Sequence, residues 1–137
     1  MRKLIITLAG GFVALTAAAH AALAPQYYER ARNTAPNVIV IDVERVEIEG
    51  PLLCAVHGRV SEVQRGRLYT VGAEVEISVP CIGHSRVAPP AGPAVYQDTA
   101  ALRASARGRA FLDAEGRLAL SQYEILAAAE DEGAASK

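Results

Sequence analysis

The sequence has no tryptophan, only two cysteines and a formal net charge of −1 across 137 residues. A charge so close to zero provides no electrostatic basis for binding nucleic acid. No C-x-x-C-H motif occurs, which excludes covalently attached c-type haem. Only one stretch is apolar enough to suggest a membrane segment, which excludes a polytopic membrane protein. The hydrophobic fraction of 51% is typical of a globular chain, and the length fits one domain.

Residues 1–21 have the three parts of a secretory signal peptide: a positively charged start, an apolar middle and small residues at a cleavage site. Ala19 and Ala21 supply those small residues, so cleavage is expected after Ala21 rather than after Ala24. The alternative is an uncleaved anchor, but the apolar run of 16 residues is short for a bilayer core that requires roughly 20. The sequence therefore predicts a bacterial periplasmic or secreted protein with no membrane span once the signal is removed.

The rest of the chain is expected to form one folded domain with two flanking segments. A polar N-terminal extension covers residues 22–36 and is expected to hold one helical turn or to cross the surface. The domain covers residues 37–126, where β-branched residues and the alternation of apolar with polar positions predict strands. Residues 127–137 are mostly alanine, glycine and acidic residues, which predicts a disordered C-terminal tail.

Three strands are predicted in the first half of this domain. The first is expected to contain a β-bulge near Glu44 and Arg45, because the parity of its inward-facing apolar residues changes there. The other two are expected to form an antiparallel hairpin in which Cys54 faces Cys81, since this register places apolar residues opposite one another. The three strands are expected at 38–49, about 53–64 and about 72–80.

A short helix and a second hairpin complete the predicted domain. Asp98 is expected to cap a helix over about 99–107. The turn Asp113–Gly116 then joins two strands at about 109–112 and 117–126. Three strands, a helix and two strands is the order of the five-stranded OB-fold. The predicted class is therefore mainly β: a small OB-like Greek-key barrel with one short helix between its third and fourth strands.

The strand pattern over roughly 37–126 also resembles one particular branch of the OB-folds. The residues that carry the resemblance are Gly58-Arg59-Val60, Val63, Gly66, Gly72–Ile77 and Ala110–Gly116. This spacing is similar to that of the netrin-like modules, to which the tissue inhibitors of metalloproteinases belong. In those inhibitors a cysteine at the mature N-terminus chelates the protease metal, whereas the mature N-terminus expected here is Ala22. The resemblance therefore implies a secreted barrel that acts as a binding module, without that inhibitory mechanism.

The two cysteines predict a structural feature of the domain. In an oxidising compartment an even pair usually forms a disulfide, which here joins Cys54 to Cys81. The alternative is a tetrahedral zinc site, because Cys54 and His57 repeat the spacing of Cys81 and His84. Strand alternation points His57 away from Cys54, and oxidation removes the thiols that zinc requires. We therefore predict the disulfide and no metal.

No residue pattern in the sequence predicts catalysis. No serine lies in a G-x-S-x-G motif, and His57 and His84 belong to no recognisable catalytic constellation. We expect no catalytic residue and no cofactor. The alternative is a small periplasmic metal-binding protein or enzyme that uses these two histidines.

The candidate recognition surface is the loop of the first hairpin, which carries Arg65, Arg67 and Tyr69. Loops and neighbouring strands are the binding surfaces of OB-folds, although loops are polar by default. The sequence thus predicts an exported, non-catalytic binding or accessory module of the bacterial cell envelope, whose partner is an unknown protein or small ligand. A further possibility is an envelope-stress or assembly factor that binds its partner through the proline-rich loop at 87–93.

Overall fold

A computed structural model of the protein describes residues 23–128. The predicted signal segment at 1–21 and most of the predicted tail lie outside these residues. No helix within the described range is long and apolar enough to cross a membrane. The elements are α1 (Pro25–Thr34), β1 (Asn37–Gly50), β2 (Leu53–Arg65), β3 (Glu74–Ile82), β4 (Gln97–Asp98), α2 (Thr99–Ala104), β5 (Arg107–Leu112) and β6 (Leu118–Leu126).

The six strands form one sheet in the order β4-β3-β2-β1-β5-β6, which curls into a half-barrel. This confirms the mainly β class, but the predicted count of five strands is wrong. The additional strand is β4, whose two residues run parallel to the end of β3. The curling brings β4 near the other edge of the sheet, where Gln97 Nε2 donates a hydrogen bond of 2.8 Å to the Tyr123 carbonyl oxygen in β6.

The predicted bulge in β1 is confirmed by a shift of the β1–β2 register between Val43 and Arg45. At this point the two strands approach so closely that a Cβ on Gly58 would lie 2.1 Å from the Asp42 carbonyl oxygen. The Val43 amide donates to the Ala106 carbonyl oxygen at 2.9 Å, which ties the bulge to the segment before β5. A bulge increases the local twist, so the sheet curls around its longest strand here.

The predicted register of the β2–β3 hairpin is wrong by two residues. Cys54 lies opposite Val79 rather than opposite Cys81, and Val56 lies opposite Ile77. A shift of two residues keeps every side chain on its original face, so the apolar pattern cannot distinguish the two registers. The disulfide is confirmed: Cys54 and Cys81 are bonded diagonally across the strands, with their Cα atoms 5.8 Å apart.

The main core fills the inside of the half-barrel. Its fully buried side chains come from β1, β2, β3, β5 and α2, and Tyr123 of β6 packs among them. They include Ile39, Ile41, Cys54, Val56, Ile77, Val79, Cys81, Leu102 and Leu112. Burying such side chains is the dominant stabilising contribution in a domain of this size.

The segment predicted as an N-terminal extension contains the ten-residue helix α1. Pro25 lies in its first turn, where proline is tolerated. At its C-terminus, Arg65 Nη1 donates to the carbonyl oxygens of Arg32 and Ala35 at 3.0 and 2.7 Å. Ala35 packs with Val38 and Phe111 in a second, smaller core on the outer face of the sheet.

The predicted cap and turn in the second half of the domain are both confirmed. The Asp98 carboxylate accepts a hydrogen bond of 2.9 Å from the Ala101 amide and begins α2, which ends at Ala104 rather than near residue 107. The Asp113 carboxylate accepts from the Glu115 and Arg117 amides, each at 2.9 Å, and holds the turn between β5 and β6.

Burial of the Tyr123 phenol is expected to make the folded protein less stable at alkaline pH. The residue is 4% exposed, its hydroxyl has no hydrogen-bond partner in the described part of the chain, and burial raises its pKa to about 12. An unfolded tyrosine ionises near pH 10, so between about pH 10 and 12 protons are lost from the unfolded state and stability falls. The hundredfold difference in ionisation corresponds to about 3 kcal/mol.

We expect the Tyr123→Phe variant to lack this loss of stability. Urea unfolding of the wild type and the variant, followed by circular dichroism from pH 9 to pH 12, measures the difference directly. The two free energies of unfolding should be similar near pH 9 and should separate by about 2 kcal/mol at pH 12. If the free energies of unfolding of the two proteins instead change in parallel with pH, the Tyr123 phenol ionises equally in the folded and unfolded states.

Candidate functional site

His84 lies beside the disulfide and joins three segments of the chain. Its Nε2 donates to the Gly50 carbonyl oxygen at 2.8 Å, and its Nδ1 lies 2.7 Å from the Thr99 hydroxyl. That hydroxyl is buried and also lies 2.9 Å from the Ile82 carbonyl oxygen. The imidazole therefore connects the β1–β2 turn to the end of β3 and the start of α2, which is a structural role.

The four residues of the alternative metal site do not come together. One ligand atom each from Cys54, Cys81 and His84 lies within 4.8 Å of the others, but both sulfurs are in the disulfide. Zinc binds thiolates, which a disulfide does not provide. His57 contacts a different group of residues on the charged outer side of β1, β2 and β3.

Replacing His84 by leucine is expected to lower the free energy of unfolding by about 2 kcal/mol, because its contacts with the buried Thr99 hydroxyl and the half-buried Gly50 carbonyl oxygen are lost. The matched control is His57→Leu, which should change stability by less than about 1 kcal/mol since its partners are exposed. Urea unfolding of both variants tests the difference. Equal losses in the two variants would contradict the structural role of His84.

The surroundings of His57 form a network of exposed charges. Its Nε2 lies 3.4 Å from a Glu47 carboxylate oxygen, and its Nδ1 lies 3.3 Å from Arg45 Nη2 and 3.9 Å from Glu76. The hydrogen bond from Arg45 is the main reason that the pKa of Glu47 is lowered. A cleft of about 100 Å³ lies here, and no serine, threonine, cysteine or lysine lines it. Surface ion pairs of this kind contribute little stability and provide no catalytic arrangement.

The structure uses two of the three candidate recognition residues for other purposes. Arg65 caps α1 through the hydrogen bonds described above, and Tyr69 packs against the main core. Arg67 is exposed in the loop between β2 and β3. Of the three, Arg67 is therefore the residue best placed to contact a partner.

A larger cleft of about 330 Å³ lies on the outer side of the half-barrel, between α1, β6 and the loop before β4. Its walls combine apolar side chains with two opposite charges. The residues that line it are Leu23, Pro25, Tyr28, Glu29, Arg32, Val95 and Gln122. This volume is at the lower end of the range for small-molecule sites.

An irregular segment of β6 forms one side of this cleft. Leu120 and Ser121 have φ values of 45° and 58°, which are uncommon for residues other than glycine. The β5–β6 register shifts beside them, so that Ala110 lies opposite Tyr123 while Leu112 lies opposite Leu118. Strand β6 therefore has more residues than β5 between these two pairs, and this irregularity places Gln122 against α1. Backbone strain of this kind clusters at functional sites.

Hydrogen bonds hold three polar side chains that line the cleft: Tyr28, Arg32 and Gln122. Gln122 is 7% exposed; its Nε2 donates to the Leu120 carbonyl oxygen at 2.9 Å, and its Oε1 accepts a hydrogen bond from Arg32 Nη1. The Tyr28 hydroxyl accepts from the Leu23 amide at 3.3 Å and donates to the Pro93 carbonyl oxygen at 2.8 Å. These bonds join α1 to β6 and to the loop before β4.

No protein-family model, curated protein or solved structure matches this chain. The netrin-like resemblance therefore has no support from these comparisons. The curled half-barrel is compatible with an OB-like fold.

Proposed function

We propose that the chain is an exported, non-catalytic binding module of the bacterial cell envelope, and that its small-molecule site is the α1–β6 cleft. The observation that carries the proposal is the strained turn of β6 at Leu120 and Ser121, which places the buried Gln122 against Arg32 at the cleft. A cleft with mainly apolar walls and a few fixed polar groups is the usual form of a small-ligand site.

The disulfide supports the exported location. Disulfides persist in oxidising compartments such as the periplasm, whereas cytosolic thiols are kept reduced. The bond between Cys54 and Cys81 is buried inside the main core. It also stabilises the scaffold that carries the cleft, because both strands of the β2–β3 hairpin belong to that core.

The strand order of the sheet is compatible with an OB-like topology. Without the short β4, the sheet runs β3-β2-β1-β5-β6, and its two edge strands contact each other across the open side of the half-barrel. This is the order of a five-stranded OB-fold that is left partly open. OB-folds serve as binding modules, which agrees with the proposed function.

The alternative is a metal-binding protein or enzyme that uses His57 and His84. The proximity of His84 to the two sulfur atoms favours it, but those sulfurs are in a disulfide. Elemental analysis of the purified, oxidised protein distinguishes the two. Stoichiometric zinc or copper would support the alternative.

The binding function can be tested by a thermal-shift panel of amino acids, small monocarboxylates, monosaccharides and nucleosides. We expect one class to raise the melting temperature of the wild type and to have no effect on Val95→Phe, which fills the cleft. The matched control is Val87→Phe, since Val87 is 50% exposed and does not line the cleft. Stabilisation that survives in Val95→Phe, or none in the wild type, would contradict the proposal.

A further inference from the structure

We infer that the α1–β6 cleft binds a small zwitterion of the amino-acid class. Arg32 binds the carboxylate of the ligand, Glu29 binds its ammonium group, and the apolar wall receives its side chain. This inference rests on the proposed function and specifies its ligand. Three features of the cleft support it.

The first feature is the way in which Arg32 is held. Its Nη1 is bonded to the oxygen of a neutral amide, Gln122, whose orientation is fixed by the Leu120 carbonyl group. Within residues 23–128, no carboxylate lies at ion-pair distance from Arg32. A guanidinium has five N–H donors, so donors remain for a ligand carboxylate.

The second feature is Glu29, which lines the same cleft one helical turn before Arg32. Among the described residues, no cation lies at ion-pair distance from its carboxylate. Helix positions three residues apart place their Cβ atoms about 5–6 Å from each other. An anion bound at Arg32 would therefore be repelled by Glu29, whereas a ligand with both charges satisfies both residues.

The third feature is the size and chemistry of the remaining wall. Leu23, Pro25 and Val95 present apolar surface, and the cleft volume is about 330 Å³. The Tyr28 hydroxyl is already engaged with the Leu23 amide and the Pro93 carbonyl oxygen, so the tyrosine contributes its ring as wall. An aliphatic amino acid fits within this volume, with its side chain against the apolar wall.

Isothermal titration calorimetry with three related probes tests the inference. Leucine carries both charges, N-acetyl-leucine carries the negative charge alone, and leucine amide carries the positive charge alone. Leucine should bind the wild type at least about 10-fold more tightly than either analogue, since each analogue leaves one charge of the cleft without a partner. If N-acetyl-leucine binds as tightly as leucine, the ligand need not be a zwitterion and that inference is wrong, although the cleft would still be a binding site.

Two variants assign the charges to their residues. Arg32→Gln should weaken leucine binding by about 10-fold or more, while Glu29→Gln should bring N-acetyl-leucine to within about 3-fold of leucine. Arg30→Gln, on the same helix but outside the cleft lining, is the control and should keep wild-type affinity. Far-ultraviolet circular dichroism shows whether α1 is retained in each variant, and Arg32→Lys keeps the positive charge if Arg32→Gln does not fold.

The outcomes also separate this inference from the proposed function. In one outcome, leucine and both analogues fail to bind while another compound class stabilises the wild type but not Val95→Phe. In that case the inference of a zwitterionic ligand is wrong, but the proposed binding function is retained. If no compound in the panel binds, both are wrong. Leucine binding that is unchanged in Arg32→Gln would show that the ligand lies elsewhere.

Discussion

Replacing both cysteines by alanine is expected to lower the free energy of unfolding by about 3.5 kcal/mol. Cys54 and Cys81 are separated by 27 positions, and closing a loop of that size removes this much chain entropy from the unfolded state. For a domain of this length the melting temperature should fall by more than about 10 °C. Both sulfurs also lie in the main core, so truncation adds a packing loss.

Differential scanning calorimetry in the presence and absence of a dithiol reductant tests this prediction. The reductant should lower the melting temperature of the wild type under conditions that reach the buried bond, and it should not affect the Cys54→Ala/Cys81→Ala variant. A wild-type melting temperature that is unchanged after complete reduction, verified by thiol titration, would show that the bond contributes no stability.

The second large effect is expected at the β1 bulge. Gly58→Ala would place a Cβ 2.1 Å from the Asp42 carbonyl oxygen, which is a backbone atom and cannot rotate away. The strands must separate at the point where β1 curls over β2, and we expect a loss of about 3 kcal/mol in the free energy of unfolding. Urea unfolding of the purified variant measures this loss.

The matched control for that substitution is Gly92→Ala. A Cβ at Gly92 meets no atom within 4 Å, so this variant should remain within about 0.5 kcal/mol of the wild type. If Gly58→Ala is as stable as Gly92→Ala, the close approach of β1 to β2 is not required for the fold.

The sequence predicts those parts of the fold that depend on local pattern. The β1 bulge is visible because the parity of apolar residues changes there, and the Asp98 cap and the Asp113 turn follow from side-chain chemistry. The β2–β3 register is not recoverable, since a shift of two residues preserves both faces. Strand β4 has only two residues, too few for any periodic signal.

Helix α1 and the cleft could not be predicted from the sequence, because they depend on contacts between residues that are far apart along the chain. None of the helix residues is fully buried, so no apolar periodicity marks the helix in the sequence. Hydrogen bonds hold it instead: Arg65 donates to the carbonyl oxygen of Arg32, Arg32 donates to Gln122, and Tyr28 donates to the Pro93 carbonyl oxygen. The cleft is lined by residues from the N-terminal segment, the loop before β4 and β6. The positive φ of Leu120 carries no sequence signal, because glycine is the residue that usually marks such a position.

The inside and the outer face of the half-barrel have different roles. The inside of the half-barrel is stabilised by the disulfide and by the His84 bonds, so three of the four residues of the alternative metal site have structural roles. The outer face carries α1 and the irregular part of β6, where strain and two opposite charges come together. A rigid scaffold that holds polar groups at an outer cleft is the arrangement that a binding module requires.

We propose that a small zwitterion of the amino-acid class binds in the α1–β6 cleft. The most direct test is a titration of leucine into the uniformly ¹⁵N-labelled protein, followed by amide chemical shifts. We expect the amide signals of Glu29, Arg32 and Gln122 to shift together along one saturating isotherm. Shifts centred on Arg67 or His57, or no shifts at all, would contradict it.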